Sequence, residues 1–384
     1  MTKKIRIGLI YGGKSGEHDV SLLTAHAVIQ AFDFSKYEVI PFYITKQGEW
    51  RRGPELLGPV GSKRELAFGE TLPAAADQSV QVSSASVPAV AKDVGATALA
   101  PIFAAGQSGL GELDVVFPLL HGTYGEDGTI QGMFEMAGIP YVGAGVLASA
   151  VGMDKTFMKA MFAQEGLPQC VYRHFTRTQW ESNRDYYLTE IEVALGYPCF
   201  VKPANLGSSV GVSKASNREE LLAGIQEAFR FDRKVIVEEF VDAREIEVSV
   251  LGNEHPVASV PGEIVSSGEF YDYRAKYIDG KSAMIIPADL PDGMSDQIRQ
   301  MAIRAFQAID GSGLSRVDFF VRRSDNAILI NEINTMPGFT PYSMYPLLWK
   351  ESGKPYRELL DDLIRLAIER HEAKQQLTFA IDIE

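Results

Sequence analysis

The stretch from 315 to 334, SRVDFFVRRSDNAILINEIN, constrains the fold more tightly than any other in this 384-residue chain. It reads as two strands joined by the polar turn Ser324-Asp325-Asn326, a hairpin in which Arg323 faces Ala327. That register sets Asp318 opposite Glu332 and Arg316 opposite Asn334, all on one face of a sheet, with opposed Cβ atoms about 5 Å apart. Two facing carboxylates beside an amide repel each other unless a cation lies between them. An all-oxygen donor set suits Mg²⁺, which completes its shell with substrate phosphates. The same residues could instead form a solvated polar face with an ordinary Arg–Asp pair, and a register slip would dissolve the cluster.

The rest of the chain supplies the setting. Its length, with 46% apolar and 23% charged residues, suits two or three domains with cores of their own and excludes general disorder. Residues 5–11 form a short apolar run closed by Gly12-Gly13, a buried strand entering a tight turn. Helical patterns over 19–32 and 128–137 alternate with strands over 38–44 and 114–120, which predicts a parallel sheet covered on both faces. Residues 58–112, rich in Ala, Ser and Val, read as a surface insertion carrying a hairpin and no chemistry. Beyond 144 come a helix over 147–164, a strand near Val171, a helix over 184–195 and a strand over 199–202. The loop 205–211, a helix over 218–229 and a strand over 235–240 follow. The last part alternates strictly, as in REIEVSVLG, and closes with helices from Gln297 and Tyr356.

Several functions are excluded early. With 37 basic against 50 acidic residues the net charge is −13, which disfavours nucleic acid and anionic membranes as partners. Any anionic ligand must then be held by a few placed cations. Cys170 and Cys199 read as reduced, packed thiols and offer no metal cluster. No stretch approaches the ~18 consecutive apolar residues of a membrane span. The opening MTKKIRIGLIYGG is a first strand and not a signal peptide, so a cytoplasmic protein is expected. Gly8 to Ser15 matches the phosphate-loop pattern GxxxxGK[ST], but Leu9, Ile10 and Tyr11 belong to the strand, so the match is accidental. Gly12, Gly13 and Gly16 also miss the dinucleotide spacing GxGxxG.

Further signals concern anions. Lys202 ends the apolar run YPCFVKP, as a mere strand end or as a cation set beside a loop. That loop, NLGSSVGV, supplies Gly207, Ser208, Ser209 and Gly211, small residues whose N–H groups can approach phosphate oxygens. Lys155 opens a helical segment and alone reads as a surface lysine. Glu238 and Glu239 interrupt an apolar strand, where a buried carboxylate needs a partner such as a nucleotide base. Glu245 and Glu247 alternate onto one face of the next strand. Two cations, a glycine-rich loop, a strand able to line a base and a carboxylate pair for magnesium together point to ATP.

In order along the chain stand GGKSGEHDVS (12–21), HGTYGEDGTIQG (121–132), MDK (153–155) and VKPANLGSSVGV (201–212). EEFVDAREIEV (238–248), YDYRAKY (271–277), RVDFF (316–320) and NEINTMPGFTPYSM (331–344) complete the series. Through these motifs the chain resembles the D-alanine–D-alanine ligase family of the ATP-grasp superfamily over nearly its whole length, the insertion excepted. The resemblance implies an α/β fold, α+β in its C-terminal part. Its expected domains are an N-terminal Rossmann-like domain (1–143), a central ATP-grasp subdomain (144–238) and a C-terminal one (239–384) with a mobile loop over 266–284.

Such ligases phosphorylate the carboxylate of one D-alanine with ATP, and the amine of a second D-alanine then attacks the acyl phosphate. The resemblance implies that Lys155 and Lys202 bind the α- and β-phosphates and that Lys276 closes over the phosphates. Glu238 and the backbone of Glu239 and Val241 would read adenine, Glu245 the ribose, and Asp318, Glu332 and Asn334 would hold two Mg²⁺ (or Mn²⁺). Glu17 would receive the ammonium of the first D-alanine, with His121 nearby. Arg316 and the N–H of Gly338 would form the oxyanion site, and Ser343 with the N–H of Met344 would bind the second carboxylate. Ser208, Tyr277 and Glu17 would latch the mobile loop shut, keeping water from the acyl phosphate.

Tyr277 stands where relatives making D-alanyl-D-lactate often carry histidine or phenylalanine, which points to the dipeptide product. Two positions depart from the common pattern: His18, where several relatives have arginine, and Glu239, where many have lysine. A homodimer is expected by resemblance alone, and a monovalent cation assisting ATP is left open. The alternatives are a depsipeptide or mixed D-amino-acid ligase of the same fold and, in another class, a non-catalytic nucleotide-binding regulator.

Overall fold

The computed structural model describes residues 3–69, 112–207, 210–265 and 283–378. Strands β1 (Ile5–Gly12), β2 (Tyr37–Ile44), β3 (Trp50–Arg52) and β4 (Val115–Leu119) form a first sheet in the order β3-β2-β1-β4. β1 pairs parallel with β2 and β4, and β3 returns antiparallel on β2. Alternation along β1 sorts its side chains: Ile7, Leu9 and Tyr11 join the core containing α1 (His18–Ala31), while Ile10 joins the core containing α2 (Thr129–Ala137). Gly8 lies within β1, paired with Ile40 and Val116, so the phosphate-loop pattern there is strand. The C-terminal helix α10 (Tyr356–Gln375) shares the Ile7 core through Leu359, Leu360 and Leu363, binding the end of the chain to its beginning.

The helix expected over 147–164 is two helices, α3 (Val146–Met153) and α4 (Lys155–Gln164). Asp154 leaves the helical region (φ −87°, ψ 100°), and its carboxylate accepts from the N–H groups of Thr156 and Phe157. An N-cap of this kind starts a helix in mid-pattern, which apolar periodicity alone does not reveal. The Asp154 carboxylate also pairs with buried Lys234, which donates to Thr156 Oγ1 at 2.9 Å.

A second, antiparallel sheet runs β5 (Tyr172–Thr176), β8 (Lys234–Glu239), β6 (Cys199–Pro203), β7 (Ser213–Ala215). Cys199, Val201, Val235 and Val237 face a core built on Trp180 of α5 (Arg177–Ser182), Ile191 of α6 (Arg184–Ala194) and Ile225 of α7 (Arg218–Ala228). Period-two alternation therefore turns Lys202 and Glu238 to the other face. Both cysteines are free and buried, and burial pushes both thiols up to about 11.

The third sheet has the order β12 (Ala283–Ile285), β11 (Gly262–Val265), β9 (Ala243–Gly252), β13 (Gly313–Arg322), β14 (Ile328–Asn334), with β10 (Val257–Ala258) on β9. Ile246, Val248, Val317 and Phe319 pack on α8 (Met294–Ala308) and on Met158 and Phe162 of α4, which leaves the polar residues of β9 and β13 on the opposite face. The hairpin differs from expectation at its tip. Arg322, not Arg323, faces Ala327, accepting the 2.9 Å bond from Asn326 N–H across a turn that holds Asn326 at φ +58°. The resulting register pairs Phe319 with Ile330, but a bulge at Asn331 restores Asp318 opposite Glu332 and Arg316 opposite Asn334. A short helix not foreseen in the sequence, α9 (Met344–Glu351), follows the loop after β14.

Candidate active site

The polar faces of the second and third sheets turn toward one cleft, closed at one end by loops of the first sheet and lined on one side by α4. Glu17, His121, Lys155, Lys202, Glu245 and Arg316 line it, as do Asp318, Glu332, Asn334, Gly338, Ser343 and Met344. Ser208, Lys276 and Tyr277 lie outside the described residues, with most of the 58–112 segment and of the 266–284 loop.

Strand pairing builds the acidic wall. Glu247 on β9, Asp318 on β13 and Glu332 on β14 stand in one row across three strands, and Ser249, Arg316 and Asn334 form the next row. Arg316 clasps Asp318 with two bonds, Nε to Oδ1 at 2.7 Å and Nη2 to Oδ2 at 2.6 Å, and its Nε lies 2.9 Å from Glu247 Oε2. Asn334 Nδ2 donates to Asp318 Oδ2 at 3.1 Å. Burial alone would lower the Arg316 pKa, but Asp318 and Glu247 more than offset it and hold the guanidinium well above its ordinary range. The sequence places Glu247 on this face without a role; here it is the second anchor of Arg316. Three carboxylates against one guanidinium leave the row negative, and its oxygens are hard donors of the kind Mg²⁺ takes. Among the described residues no three His, Cys, Asp or Glu side chains are grouped to hold a metal by themselves. Asp318, Glu332 and Asn334 thus fit a cation that draws further oxygens from its substrate.

Two lysines set one turn apart rise from α4. Lys155 stands at the first position after the Asp154 cap; its N–H donates to Ala204 O at 3.0 Å and its Nζ to Leu206 O at 2.8 Å. The same Nζ is 3.9 Å from Glu332 Oε2, so Lys155 bridges the glycine-rich loop and the acidic wall. Lys159, which sequence reasoning passed over, is 1% exposed and lies 3.0 Å from Glu238 Oε1. Lys202 donates to the other oxygen of Glu238 from the diagonal position on the neighbouring strand. Burial drives the Glu238 carboxyl upward, but Lys159 and Lys202 together overcome it and hold the group at about 2. Glu239 is occupied structurally: its Oε1 accepts from Val171 N at 2.8 Å, and its own N–H donates to Val171 O at 3.0 Å. Val241 follows in the short link between β8 and β9.

The far end of the cleft comes from the loops that follow β1 and β4 of the first sheet. Ser15 Oγ donates to His121 O at 2.7 Å and receives the Glu17 N–H at 3.2 Å, which sets Glu17 beside the turn after β4. Gly122 sits there at φ +71°, and a Cβ on it would come within 2.7 Å of Glu17 Oε2. Only glycine meets both demands. The Gly122 N–H donates to Glu126 Oε2 at 2.6 Å, and burial, then Glu17, pushes the Glu126 carboxyl up to about 8. Glu126 too escaped the sequence reading, although it lies inside the HGTYGEDG run. His121 is buried between Thr24 Oγ1 and Met336 O, each 3.2 Å away, and burial lowers its pKa. The Met336 carbonyl only accepts, so Nδ1 carries the proton and Nε2 accepts from Thr24. His18 is buried as well, with Nδ1 2.7 Å from Gly13 O.

Ser343 stands at the N-cap position of α9 without a side-chain bond to the helix, whose N-terminus favours an anion. Its Oγ accepts from Thr340 N at 3.0 Å and lies 3.0 Å from where a Cβ on Gly338 would sit, so this loop folds tightly against the helix.

Comparison with known proteins bears on this arrangement. Family models described as "D-ala D-ala ligase N-terminus" and "D-ala D-ala ligase C-terminus" match residues 6–144 and 161–365. The D-alanine–D-alanine ligase of Bacillus cytotoxicus is 54% identical over 379 residues, 98% of this chain and 99% of that one. That of Geobacillus thermodenitrificans is 52% identical over 99% of this chain and 100% of its own. Among solved structures, the D-alanine-D-alanine ligase from Coxiella burnetii superposes with a TM-score of 0.76 at 32% identity, covering 98% of this chain and 97% of that one. The VanG D-Ala:D-Ser ligase from Enterococcus faecalis also gives 0.76, at 34% identity over 95% of this chain and all of its own.

Proposed function

The chain belongs to the D-alanine–D-alanine ligase family, and from that premise we propose that it joins two D-alanines, with ATP converted to ADP and phosphate, for peptidoglycan precursor synthesis. The observation that carries this reading is the pairing of opposites in one cleft. Lys155 and Lys202 line it together with Glu17, Arg316 and Gly338, which supports cations for a phosphate chain and a carboxylate for an ammonium in one space.

Glu17 takes the ammonium of the first D-alanine, so that its carboxylate is turned toward the nucleotide. One carboxylate oxygen attacks the γ-phosphorus, ADP leaves, and an acyl phosphate forms. The second D-alanine presents its carboxylate to Ser343 and the Met344 N–H at the start of α9, a helix N-terminus suited to an anion. Its neutral amine attacks the acyl carbon, and Arg316 with the Gly338 N–H receives the oxyanion. Collapse of the tetrahedral intermediate expels phosphate, which carries away the oxygen that bridged carbon and phosphorus.

Lys155 and Lys202 hold the α- and β-phosphates, Glu238 and the backbone of Glu239 and Val241 read adenine, and Glu245 takes the ribose hydroxyls. Two Mg²⁺, or Mn²⁺, held by Asp318, Glu332 and Asn334 would supply charge neutralisation for the transferred phosphoryl group. Asp318, already clasped by Arg316, would then serve both cations. Glu17 Oε2 lies 3.6 Å from the position of a Cβ on Gly207, the residue before Ser208, which supports a latch of Glu17, Ser208 and Tyr277 with Lys276 closing over the phosphates. No helix among the described residues is long and apolar enough to cross a membrane. A cytoplasmic homodimer, with a monovalent cation as a further aid to ATP, completes the proposal.

The test uses D-alanine labelled with ¹⁸O in its carboxylate. One labelled oxygen per turnover should appear in the released phosphate. Unlabelled phosphate alongside dipeptide would remove the acyl phosphate from the mechanism.

A further inference from the structure

Glu238 has a lysine for each oxygen, and the two lysines are not equivalent. Lys202 opens onto the cleft, with 14% of its side chain exposed, and sits on the strand that leads into the glycine-rich loop. Lys159 has no such exit. It is 1% exposed, its Nζ is 3.0 Å from Glu238 Oε1 and 5.6 Å from the centre of the Tyr172 ring, and its carbonyl is tied to Gln169 Nε2 at 2.8 Å. The proposed reaction asks Lys202 to serve a phosphate. A buried carboxylate left by one cation must keep another or take up a proton.

We propose that Lys159 is a positioning residue that keeps Glu238 ionised when Lys202 turns to the ATP phosphates, so that nucleotide selection depends on a lysine that never touches nucleotide. The inference rests on the proposed contact between Glu238 and the base. The chemistry is a matter of hydrogen-bond sign. An ionised Glu238 only accepts, which suits the exocyclic amine of adenine; a protonated Glu238 carries an O–H and suits the 6-keto oxygen of hypoxanthine. Loss of Lys159 therefore erases a preference as well as weakening a contact.

The experiment measures binding of ATP and ITP, with Mg²⁺ and without D-alanine, to the full chain as wild type, K159M, E238Q and K159M/E238Q. Steady-state turnover with D-alanine is followed in parallel. K159M should weaken ATP about tenfold or more and leave ITP within about threefold, the size expected for one charge-assisted bond. The loss should fall on KM for ATP and not on kcat. In the E238Q background, where no carboxylate needs a counter-ion, K159M should change either affinity by less than about twofold. Equal weakening of ATP and ITP, repeated in the E238Q background, would mean that Lys159 only fills space, and the proposal would fall. If K159M does not fold, K159M/E238Q must still fold and bind as E238Q does; its failure also overturns the proposal. An ATP-to-ITP ratio unchanged by E238Q alone would remove the base contact itself, and the inference with it.

Discussion

Asp318 lies directly opposite Glu332 because Asn331 is an extra residue in β14. From Val321–Ile328 to Phe319–Ile330 the hairpin runs in a register that would send Glu332 into the core, and the bulge at Asn331 shifts every later residue to the other face. The carboxylate pair and Asn334 share the cleft face because Asn331 stands outside the ladder, whereas Arg316 clasps Asp318 within β13 itself.

Deleting Asn331 should therefore straighten β14 and keep the wall, because Glu332 then follows Ile330 directly and takes the place opposite Asp318. Turnover should stay within about tenfold of wild type, and circular dichroism should report unchanged strand content. A loss of about a hundredfold in a folded deletion variant would mean that the kink of the bulge itself, and not the pairing alone, positions these groups.

Gly122 is constrained twice, by its φ of +71° and by Glu17 Oε2, which would lie only 2.7 Å from a Cβ at this position. Gly122→Ala should raise the KM for the first D-alanine about tenfold through backbone strain and displacement of Glu17. The KM for ATP should change little, and the two constants measured together separate this from general damage.

Asp154 breaks the α3–α4 segment and pairs with Lys234, with side-chain exposures of 12% and 8%. Asp154→Ala removes a cap and leaves a buried ammonium without its counter-ion, and should cost about 3–5 kcal/mol in denaturant unfolding. D154A/K234M should recover a large part of that loss, since no unpaired charge remains. Failure to recover would place the penalty in the cap alone.

The Glu126 carboxyl is raised from its ordinary 4.5 to about 8 by burial and by Glu17. Across that window the folded protein holds a proton that the unfolded chain has released, so this group makes stability fall as pH rises. Glu126→Gln should lose this decline, and the variant should gain on wild type as pH rises from about 4.5 to about 8. Parallel unfolding profiles for the two proteins would contradict the assignment.

Much of the fold is legible in the sequence because alternation and helical period are local properties. The two faces of β6 and β8 follow from residues a few positions apart, and the parallel pairing of β1 with β2 follows from the helix that connects them. What escapes is set by single polar residues acting across the fold. Asp154 stops a helix that its apolar neighbours would continue, and its signal is an Asp followed two residues later by Thr at a possible cap. The hairpin tip differs from expectation by one residue, since Asn326 tolerates a positive φ and allows a longer turn; the bulge cancels that error at Asp318 for reasons no turn rule contains. Lys159 and Glu126 look like surface residues in the sequence, because burial of a charge depends on what the rest of the chain packs over it. The spacing of Lys159 four residues after Lys155, on one helical face, is the available clue. Lys276, Tyr277 and Ser208 rest on the family resemblance.

The most direct test is phosphate release by the purified protein with ATP and Mg²⁺, in the presence of D-alanine, L-alanine or neither, with the product identified by mass. Release should depend on D-alanine and match D-alanyl-D-alanine mole for mole, with L-alanine inert. ATP binding without D-alanine-stimulated release would leave the fold standing and contradict the substrate site built on Glu17, Arg316 and Ser343.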